Sequence, residues 1–270
     1  MIKLFPFRKF SHRLQLTSAY LLVHHGSRDP RPQMEVEKLA HLISQKWRYC
    51  QLQPLGSRKS GVSVANAIGP LVGTACLELA PLPFHQQIEQ FGQKMLASGY
   101  NYLQILPLFL LPGVHVVEDI PAEVAIAQKA LGSDLQIEIA PHLGQHPGIA
   151  RLFAKPIANW EVDGCILISH GSRREGANQP VEMLATELKA LPAYWSVSPK
   201  LEFQLQRLLM AGYRRIGILP YFLFGGAITD AIAQSVAQIK QEFPAANYYL
   251  AAPLGASVEL ADLILDLVRE

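Results

Sequence analysis

The chain has 270 residues with 50% hydrophobic and 17% charged side chains, and its formal net charge is only +2. This composition excludes a disordered protein, because the apolar fraction is large enough to form a core, and a membrane-spanning one, because no run approaches the roughly 18 uninterrupted apolar residues that a span needs. The nearly neutral charge also argues against nucleic-acid binding, so we expect a soluble protein with a small ligand.

The opening segment and the cysteines favour a cytoplasmic location. Residues 1–18 include four basic residues but no continuous apolar stretch, and we interpret them as an N-terminal extension rather than a secretory signal. Cys50, Cys76 and Cys165 are far apart and form no CxxC pair. The sequence therefore predicts neither a disulfide framework nor a thiolate metal site, which fits a reducing compartment.

Short apolar runs alternate with amphipathic stretches along the first half of the chain. Runs of strand length, bounded by glycine, proline or asparagine, are predicted as strands. They are residues 19–23, 71–77, 102–110 and 135–140. Stretches with apolar residues three or four positions apart are predicted as helices. They are residues 34–47, 84–99 and 118–132.

The second half of the chain repeats the first. Residues 21–28 read LLVHHGSR and residues 166–173 read ILISHGSR, at an offset of 145 positions. Residues 96–110 and 209–223 share the pattern around ILP at an offset of 113, and a third pair, APHLG and AAPLG, follows in the same order. The drop in offset leaves about 32 extra residues in the first copy, and we assign much of this excess to an inserted loop at residues 51–70.

The second copy contains four predicted strands of its own, and both copies therefore indicate one α/β architecture. These strands are residues 165–169, 194–198, 215–224 and 247–252. Alternating strands and helices predict parallel sheets with right-handed crossovers. We expect an N-terminal lobe at residues 19–156 and a C-terminal lobe at residues 160–270. Both should be doubly wound parallel-sheet lobes from internal duplication, with an active-site cleft between them at the carboxyl ends of the strands.

Three polar side chains follow predicted strand ends in the first copy. His25 precedes Gly26 in the HGSR loop, Glu78 ends the run LVGTACLE, and His115 comes shortly after a Pro-Gly turn. Because parallel strands end at one edge of a sheet, these side chains could converge on one point. Two imidazoles and one carboxylate suit a borderline divalent metal such as Fe, Co, Ni or Zn better than Mg or Ca.

Each candidate also has a structural interpretation. His25 could be an ordinary turn residue, and Glu78 could cap the helix that follows it. His24 should point to the opposite face of its strand, and we interpret it as structural. Arg28 and Arg173 could be ordinary surface charges. The remaining histidines that match no landmark are also interpreted as structural, namely His12, His41, His85 and His142.

Several common chemistries have no motif in this sequence. It contains no GxxxxGK[ST] phosphate loop and no GxGxxG dinucleotide fingerprint. It also lacks a GxSxG nucleophile elbow, which leaves Ser27 and Ser172 as poor candidates for hydrolase nucleophiles. ATP hydrolysis, dinucleotide-dependent redox chemistry and serine hydrolysis are therefore not expected.

The combination of these motifs resembles the CbiX/SirB group of class II chelatases, and it is most similar to the long, duplicated cyanobacterial form. The resemblance runs from about Tyr20 to the C-terminus and rests on the segments HGSR, CLE, PLFLLPGVHVVEDIP and PHLGQHP. It implies a two-lobed enzyme that inserts Fe²⁺ into sirohydrochlorin without ATP to give siroheme.

The resemblance implies one competent site, in the N-terminal lobe. It assigns metal binding and proton handling to His25, Glu78 and His115. The second copy keeps His170, but it has Ala227 or Ile228 in the place of His115 and no clear equivalent of Glu78. We expect the C-terminal lobe to close the cleft, with His170 as a relic or a substrate contact.

The resemblance also implies contacts to the carboxylates and faces of the tetrapyrrole. The predicted substrate-binding residues are Ser27, Arg28, His170 and Arg173. Further predicted rim donors are Arg31 and Arg174, with Arg58 and Lys59 of the inserted loop as outer candidates. The predicted apolar lining is Phe109, Leu110, Leu111, Phe222 and Phe224. His146, near a predicted helix start, is a further candidate contact.

Three functional alternatives stay open at the level of the sequence. One is cobalt insertion into sirohydrochlorin for cobalamin synthesis, because imidazole and carboxylate ligands accept both Fe²⁺ and Co²⁺. Another is a non-catalytic tetrapyrrole or metal carrier, and a remote third is an unrelated α/β binding protein. We expect no permanently bound cofactor, with the divalent metal as a substrate. The sequence does not indicate the oligomeric state, and a duplicated chain could act as a monomer.

Overall fold

The computed structural model describes residues 18–52 and 70–268, which form two four-stranded parallel sheets. The N-terminal sheet has the strand order β2-β1-β3-β4. Its strands are β1 (Ser18–His24), β2 (Leu71–Cys76), β3 (Tyr102–Pro107) and β4 (Gln136–Ile139). Its helices are α1 (Pro30–Leu52), α2 (Phe84–Ala97), α3 (Ile120–Leu131) and α4 (Ile149–Ala154). A π-helical turn at His115–Asp119 precedes α3.

The C-terminal sheet has the equivalent order β6-β5-β7-β8. Its strands are β5 (Gly164–Ser169), β6 (Ala190–Tyr194), β7 (Arg215–Pro220) and β8 (Asn247–Leu250). Its helices are α5 (Gln179–Glu187), α6 (Leu201–Met210), α7 (Ala227–Glu242) and α8 (Val258–Leu267). Two similar lobes with the same strand order confirm the predicted fold class. Within the described ranges, no helix has the length and hydropathy needed to cross a membrane.

Local sequence accounts for the central elements. All seven residues of β1 are buried, as expected for a central parallel strand covered on both faces. In α2 the buried positions Phe84, Ile88 and Met95 recur with the helical period and form one apolar stripe. A proline at the first turn starts α3, and Gly132 ends it with φ of 73°, a left-handed conformation that favours glycine.

The hydrophobic core joins the two lobes. One cluster includes Leu22 of β1 and Ile43 of α1, and it continues through Phe153 of α4 to Leu167 of β5 and Ile264 of α8. Two further clusters lie on the outer faces of the sheets, one in each lobe. The lobes are therefore in direct apolar contact, and the predicted cleft does not separate them along their whole length.

The carboxyl edges of the two sheets lie next to each other. Arg31, which follows β1, binds Asp230 in the first turn of α7 through two hydrogen bonds of 3.0 and 2.6 Å. The hydroxyl of Tyr221, just after β7, donates to the carbonyl of Leu110, just after β3, at 3.4 Å. Loops from both lobes are therefore in contact at these edges.

Some predicted boundaries are wrong. The strand predicted at 194–198 lies at Ala190–Tyr194 instead, and it contains Pro192. Proline is acceptable there because β6 is an edge strand. The strands predicted to reach 110 and 224 end at Pro107 and Pro220, where the chain turns away from the sheet.

The predicted loop and extension fall largely outside the described residues. Helix α1 is longer than expected and continues to Leu52, two residues into the loop predicted at 51–70. Residues 53–69, which include Arg58 and Lys59, are outside the described part of the chain, as are residues 1–17 of the extension.

Candidate metal centre

Neighbouring strand ends hold His25 and Glu78 side by side. The last paired residues of β1 and β2 are His24 and Cys76. The ladder continues for two more steps, because Leu77 N–H donates to the His24 carbonyl and Glu78 N–H donates to the His25 carbonyl, each at 2.9 Å. The backbone therefore brings the imidazole and the carboxylate to the same edge of the sheet.

Gly26 permits this close approach. Its φ is +99°, and a Cβ atom at this position would lie 2.0 Å from the carbonyl oxygen of Glu78. A side chain would therefore strain the turn and also displace Glu78. The turn is closed by Ser27, whose Oγ accepts a hydrogen bond from the N–H of Asp29 at 3.0 Å.

His115 completes a group of three potential ligands. Its ring meets the ring of His25 edge to face, with centroids 4.7 Å apart, and its Nε2 lies 3.9 Å from Oε1 of Glu78. One ligand atom from each residue lies within 4.8 Å of the other two. An ion with bonds of about 2.1 Å spans about 4.2 Å between opposite ligands, so small side-chain movements would bring these atoms to ligating distance.

His25 and Glu78 are exposed, and His115 is half-buried. The side chain of Glu78 is 50% exposed and that of His115 is 30% exposed. An ion bound between them would therefore be accessible to a large substrate at the edge of the sheet. On the side away from Glu78, Nδ1 of His115 lies 2.7 Å from Oδ2 of Asp119. Asp119 was not selected in the sequence analysis, because only the turn that connects it to His115 brings the two side chains together.

His24 and Gln87 support the loops that carry the ligands. Buried His24 accepts from Gly26 N–H through Nδ1 at 3.3 Å, and its Nε2 lies 2.7 Å from Oε1 of Gln33. Burial lowers the pKa of His24, so the ring is neutral, in agreement with its predicted structural role. Gln87 of α2 binds both backbone polar groups of Cys76, at 3.1 and 2.8 Å, and holds the loop after β2.

The predicted rim arginines differ in availability. Arg28, Arg173 and Arg174 are exposed. Arg31 is not a free rim donor, which corrects the prediction, because its guanidinium binds both Asp29 and Asp230. Hydrogen bonds from Arg31 lower the pKa of both carboxyl groups, so they remain ionised and hold the guanidinium between the lobes.

The predicted apolar lining is partly engaged in the cores. Leu110, Leu111 and Phe224 pack against the core that joins the lobes. Phe222 packs against the outer core of the C-terminal lobe. Phe109 packs against the outer core of the N-terminal lobe, and its ring centroid lies 6.2 Å from that of His115.

Exposed apolar side chains next to the ligands were not predicted. Leu79 follows Glu78, is 59% exposed and has a left-handed φ of 62°, and Val114 precedes His115 and is 44% exposed. A non-glycine residue with this backbone conformation is unusual and is often found at functional sites. These two side chains offer apolar surface directly beside the ligands.

The C-terminal lobe has the same backbone arrangement without the ligands. Ser196 N–H donates to the carbonyl of His170 at 2.8 Å, so Ser196 stands where Glu78 stands in the first lobe. Helix α7 begins at Ala227, and Ile228 follows it. Across residues 18–52 and 70–268, His25, Glu78 and His115 form the one cluster of three or more His, Cys, Asp or Glu side chains placed to share an ion.

The other histidines near this edge have local partners. His142 is buried, and its Nδ1 lies 3.0 Å from the carbonyl of Phe109. Burial lowers the pKa of His142. His146 is buried as well, and its Nδ1 accepts from Gly148 N–H at 2.9 Å at the start of α4. His146 therefore stabilises a turn, and its predicted substrate contact gains no support.

Comparison with known proteins identifies the family of this chain. The CbiX family model matches residues 19–159 and 164–270. The chain belongs to the CbiX family. This CbiX protein is 27% identical over 197 residues to a sirohydrochlorin ferrochelatase of Priestia megaterium, which covers 66% of this chain and 71% of that relative.

Two solved structures share the fold of this CbiX protein. SirB from Bacillus subtilis with Fe³⁺ has a TM-score of 0.72 and 22% identity, covering 94% of this chain and 95% of that one. The sirohydrochlorin chelatase SirB from Bacillus subtilis subspecies spizizenii in complex with cobalt has a TM-score of 0.66 and 21% identity, covering 94% of each chain. At these identities the likeness establishes the two-lobed fold.

Proposed function

We propose that this CbiX protein inserts Fe²⁺ into sirohydrochlorin without ATP and so produces siroheme. The observation that carries the proposal is the meeting of His25, Glu78 and His115, whose ligand atoms lie within 4.8 Å of one another at an exposed sheet edge. The family match and the sirohydrochlorin ferrochelatase of Priestia megaterium support the choice of substrate. The metal is a substrate in this reaction, and no permanently bound cofactor is required.

The three ligand side chains match the steps of metal insertion. Two pyrrole N–H protons must leave the macrocycle, and the hydrated ion must exchange water for ring nitrogens. A neutral imidazole nitrogen can hold the ion or accept a proton, but it cannot do both at once. Two histidines and Glu78 therefore allow one group to retain the ion while another takes a proton from the ring.

Exposed residues around the centre provide contacts for the macrocycle. Sirohydrochlorin has a fringe of carboxylates, which arginine binds through two parallel hydrogen bonds. We assign this contact to Arg28 and Arg173, with Ser27 and His170 as additional polar contacts. The hydroxyl of Ser27 already accepts one hydrogen bond, but it retains a proton to donate. Leu79 and Val114 supply apolar surface for the face of the ring.

Cobalt insertion is the nearest alternative. Imidazole and carboxylate ligands bind both Fe²⁺ and Co²⁺, and one structural relative is described in complex with cobalt. Initial rates with Fe²⁺ and with Co²⁺, measured under anaerobic conditions at matched concentrations of free metal, separate the two reactions. A large preference for Co²⁺ would assign the protein to cobalamin synthesis instead of siroheme synthesis.

A non-catalytic carrier is the second alternative. A carrier binds metal or tetrapyrrole in a fixed ratio and then stops, whereas an enzyme continues with excess substrate. The amount of product formed from a large excess of sirohydrochlorin over protein distinguishes the two. Product that stops at one equivalent would identify a carrier, and no tetrapyrrole binding at all would favour an unrelated α/β binding protein.

The direct test replaces His25 and His115 separately by alanine. We expect each change to lower the rate of sirohydrochlorin metallation by at least about 100-fold, the scale of a lost proton-transfer group. His170→Ala is the matched comparison, because this histidine has the same backbone position in the other lobe and is assigned only a substrate contact, so we expect it to cost much less than either site variant. Wild-type rates in both site variants would overturn the site. A loss in His170→Ala as large as in His115→Ala would mean that the C-terminal lobe contributes catalytically.

A further inference from the structure

The turn that carries His115 contains one residue more than its counterpart in the second lobe. Strands β3 and β7 align at an offset of 113, since Pro107 corresponds to Pro220 at their ends. The buried positions of the helices that follow these strands align at an offset of 112. These positions are Ile120, Val124 and Ala127 in α3, and Ile232, Val236 and Ile239 in α7. The extra residue of the first lobe therefore lies between β3 and the buried face of α3.

The π-helical turn His115–Asp119 occupies this position. A single inserted residue in a helix is accommodated as such a wide turn, and these turns are frequent at functional sites. Its closing bond runs from Ile120 N–H to the His115 carbonyl. The extra residue therefore belongs to the segment that holds one of the proposed metal ligands.

Within this turn, the two nitrogens of His115 face two different carboxylates. Nδ1 lies 2.7 Å from Oδ2 of Asp119, which is a short hydrogen bond, whereas Nε2 lies 3.9 Å from Oε1 of Glu78 and makes no direct one. An ionised carboxylate only accepts hydrogen bonds, so the proton of a neutral His115 ring lies on Nδ1. The lone pair then lies on Nε2, on the side where Glu78 and His25 meet.

We infer that Asp119 is a positioning residue for His115. It holds the ring in one orientation and in the tautomer whose Nε2 can bind a metal ion. Histidine ligands commonly donate their second N–H to a carboxylate in this way, and loss of that partner lowers metal affinity. The inference rests on the proposed function only in treating His115 as a metal ligand.

The second lobe supports this inference, because the histidine and the aspartate are both absent from it. The position of His115 corresponds to Ala227 or Ile228, and that of Asp119 corresponds to Ala231 or Ile232, according to which offset is applied. Neither choice retains the imidazole or the carboxylate. The lobe without the histidine therefore also lacks the carboxylate that would orient it, although the surrounding strand and helix remain.

Titration of the metal-free protein with Co²⁺ tests the inference without sirohydrochlorin. We expect Asp119→Ala to weaken Co²⁺ binding by about 10- to 100-fold. Asp119→Asn keeps an oxygen that can accept from Nδ1, so we expect an intermediate loss. Glu118→Ala removes the exposed neighbouring carboxylate and should stay within about twofold of wild type, which controls for the general loss of negative charge.

The tautomer of His115 gives a second readout, which a purely structural role would not change. Nitrogen NMR of histidine-labelled protein in mildly alkaline buffer, where imidazoles are neutral, distinguishes Nδ1–H from Nε2–H. His115→Gln identifies the signal. We expect Nδ1–H in the wild type and a shift toward Nε2–H in Asp119→Ala. An unchanged tautomer together with unchanged Co²⁺ affinity would overturn the inference.

The two measurements also separate this inference from the proposed function. If the wild type does not metallate sirohydrochlorin but Asp119→Ala binds Co²⁺ more weakly than the wild type does, the proposed reaction fails while the role of Asp119 stands. If metallation is normal and Asp119→Ala binds Co²⁺ as well as the wild type does, the positioning role fails while the reaction stands.

Discussion

The two sheet edges of this protein share a backbone and differ in their side chains. At the N-terminal edge, Glu78 N–H donates to the His25 carbonyl at 2.9 Å, and at the C-terminal edge Ser196 N–H donates to the His170 carbonyl at 2.8 Å. The first edge has a second imidazole, His115, and the other has an isoleucine or alanine there. The two copies therefore share the scaffold that presents these side chains, and they differ in the few residues that form the three-residue cluster of the first copy.

The largest expected difference between the lobes concerns Glu78 and Ser196. Glu78→Gln keeps the size of the side chain but removes the charge that would bind the ion or take a proton. We expect it to lower the kcat/KM of sirohydrochlorin metallation by about 100-fold or more. Ser196→Ala at the matching position should change it by less than about twofold. Equal losses in a steady-state absorbance assay would mean that both edges take part in the chemistry.

The glycines of the two HGSR loops should also differ. Both have a left-handed φ, but a Cβ atom on Gly26 would lie 2.0 Å from the Glu78 carbonyl oxygen, whereas one on Gly171 would lie 2.7 Å from the Cβ atom of Tyr194. We expect Gly26→Ala to reduce the free energy of unfolding by about 2 kcal/mol or more, and Gly171→Ala by less.

Co²⁺ titration sharpens this comparison. Gly26→Ala should weaken Co²⁺ binding, because the new methyl group would push the backbone of Glu78 away from His25. Gly171→Ala should lower stability in urea unfolding and leave Co²⁺ affinity unchanged. A loss of Co²⁺ affinity in Gly171→Ala would contradict the separation of the two edges.

The smallest expected effect is a pH dependence of the free energy of unfolding, and it arises from His142 in the N-terminal lobe. Burial lowers the pKa of His142, and Pro253 occupies the matching position in the other lobe. Below about pH 6.5 the unfolded chain binds a proton that native His142 does not, so stability is full above this pH and falls as the pH decreases toward the lowered pKa.

His142→Asn removes this titration and keeps a donor for the Phe109 carbonyl. The wild type should lose up to about 1.4 kcal/mol per pH unit more than the variant across this window, as measured by urea unfolding at a series of pH values. Buried His24 adds the same slope to both proteins. Parallel stability curves would exclude His142 as a source of the pH dependence.

The sequence predicted most of the fold because its signals are local and periodic. Apolar runs and amphipathic stretches identified the alternating elements, and the repeated HGSR and ILP segments identified the two lobes. The strand β6 was misplaced because YWSVS has strand-like residues, whereas the true strand contains Pro192. Only the position of β6 at the edge of its sheet makes that proline acceptable, and this position is a property of the assembled sheet.

The candidate site shows the same contrast between local signals and contacts that depend on the assembled fold. His25, Glu78 and His115 could be selected because each follows a strand, and parallel strands end together. Arg31 was expected to be available at the rim, but it pairs with Asp230, which is 199 positions away and belongs to the other lobe. Asp119 was missed because its contact depends on a π-helical turn, and no apolar periodicity indicates such a turn.

The apolar core that joins the lobes leaves the loops of the second copy free to change in sequence. Two lobes on separate chains would dissociate on dilution. In a symmetric dimer of such chains, the same surface would also have to serve both subunits. Here the C-terminal half is always present in a one-to-one ratio, and it covers apolar residues of α1 and α4 whatever its own loops contain. Its loops could therefore change in sequence without exposing the hydrophobic surface of the N-terminal half.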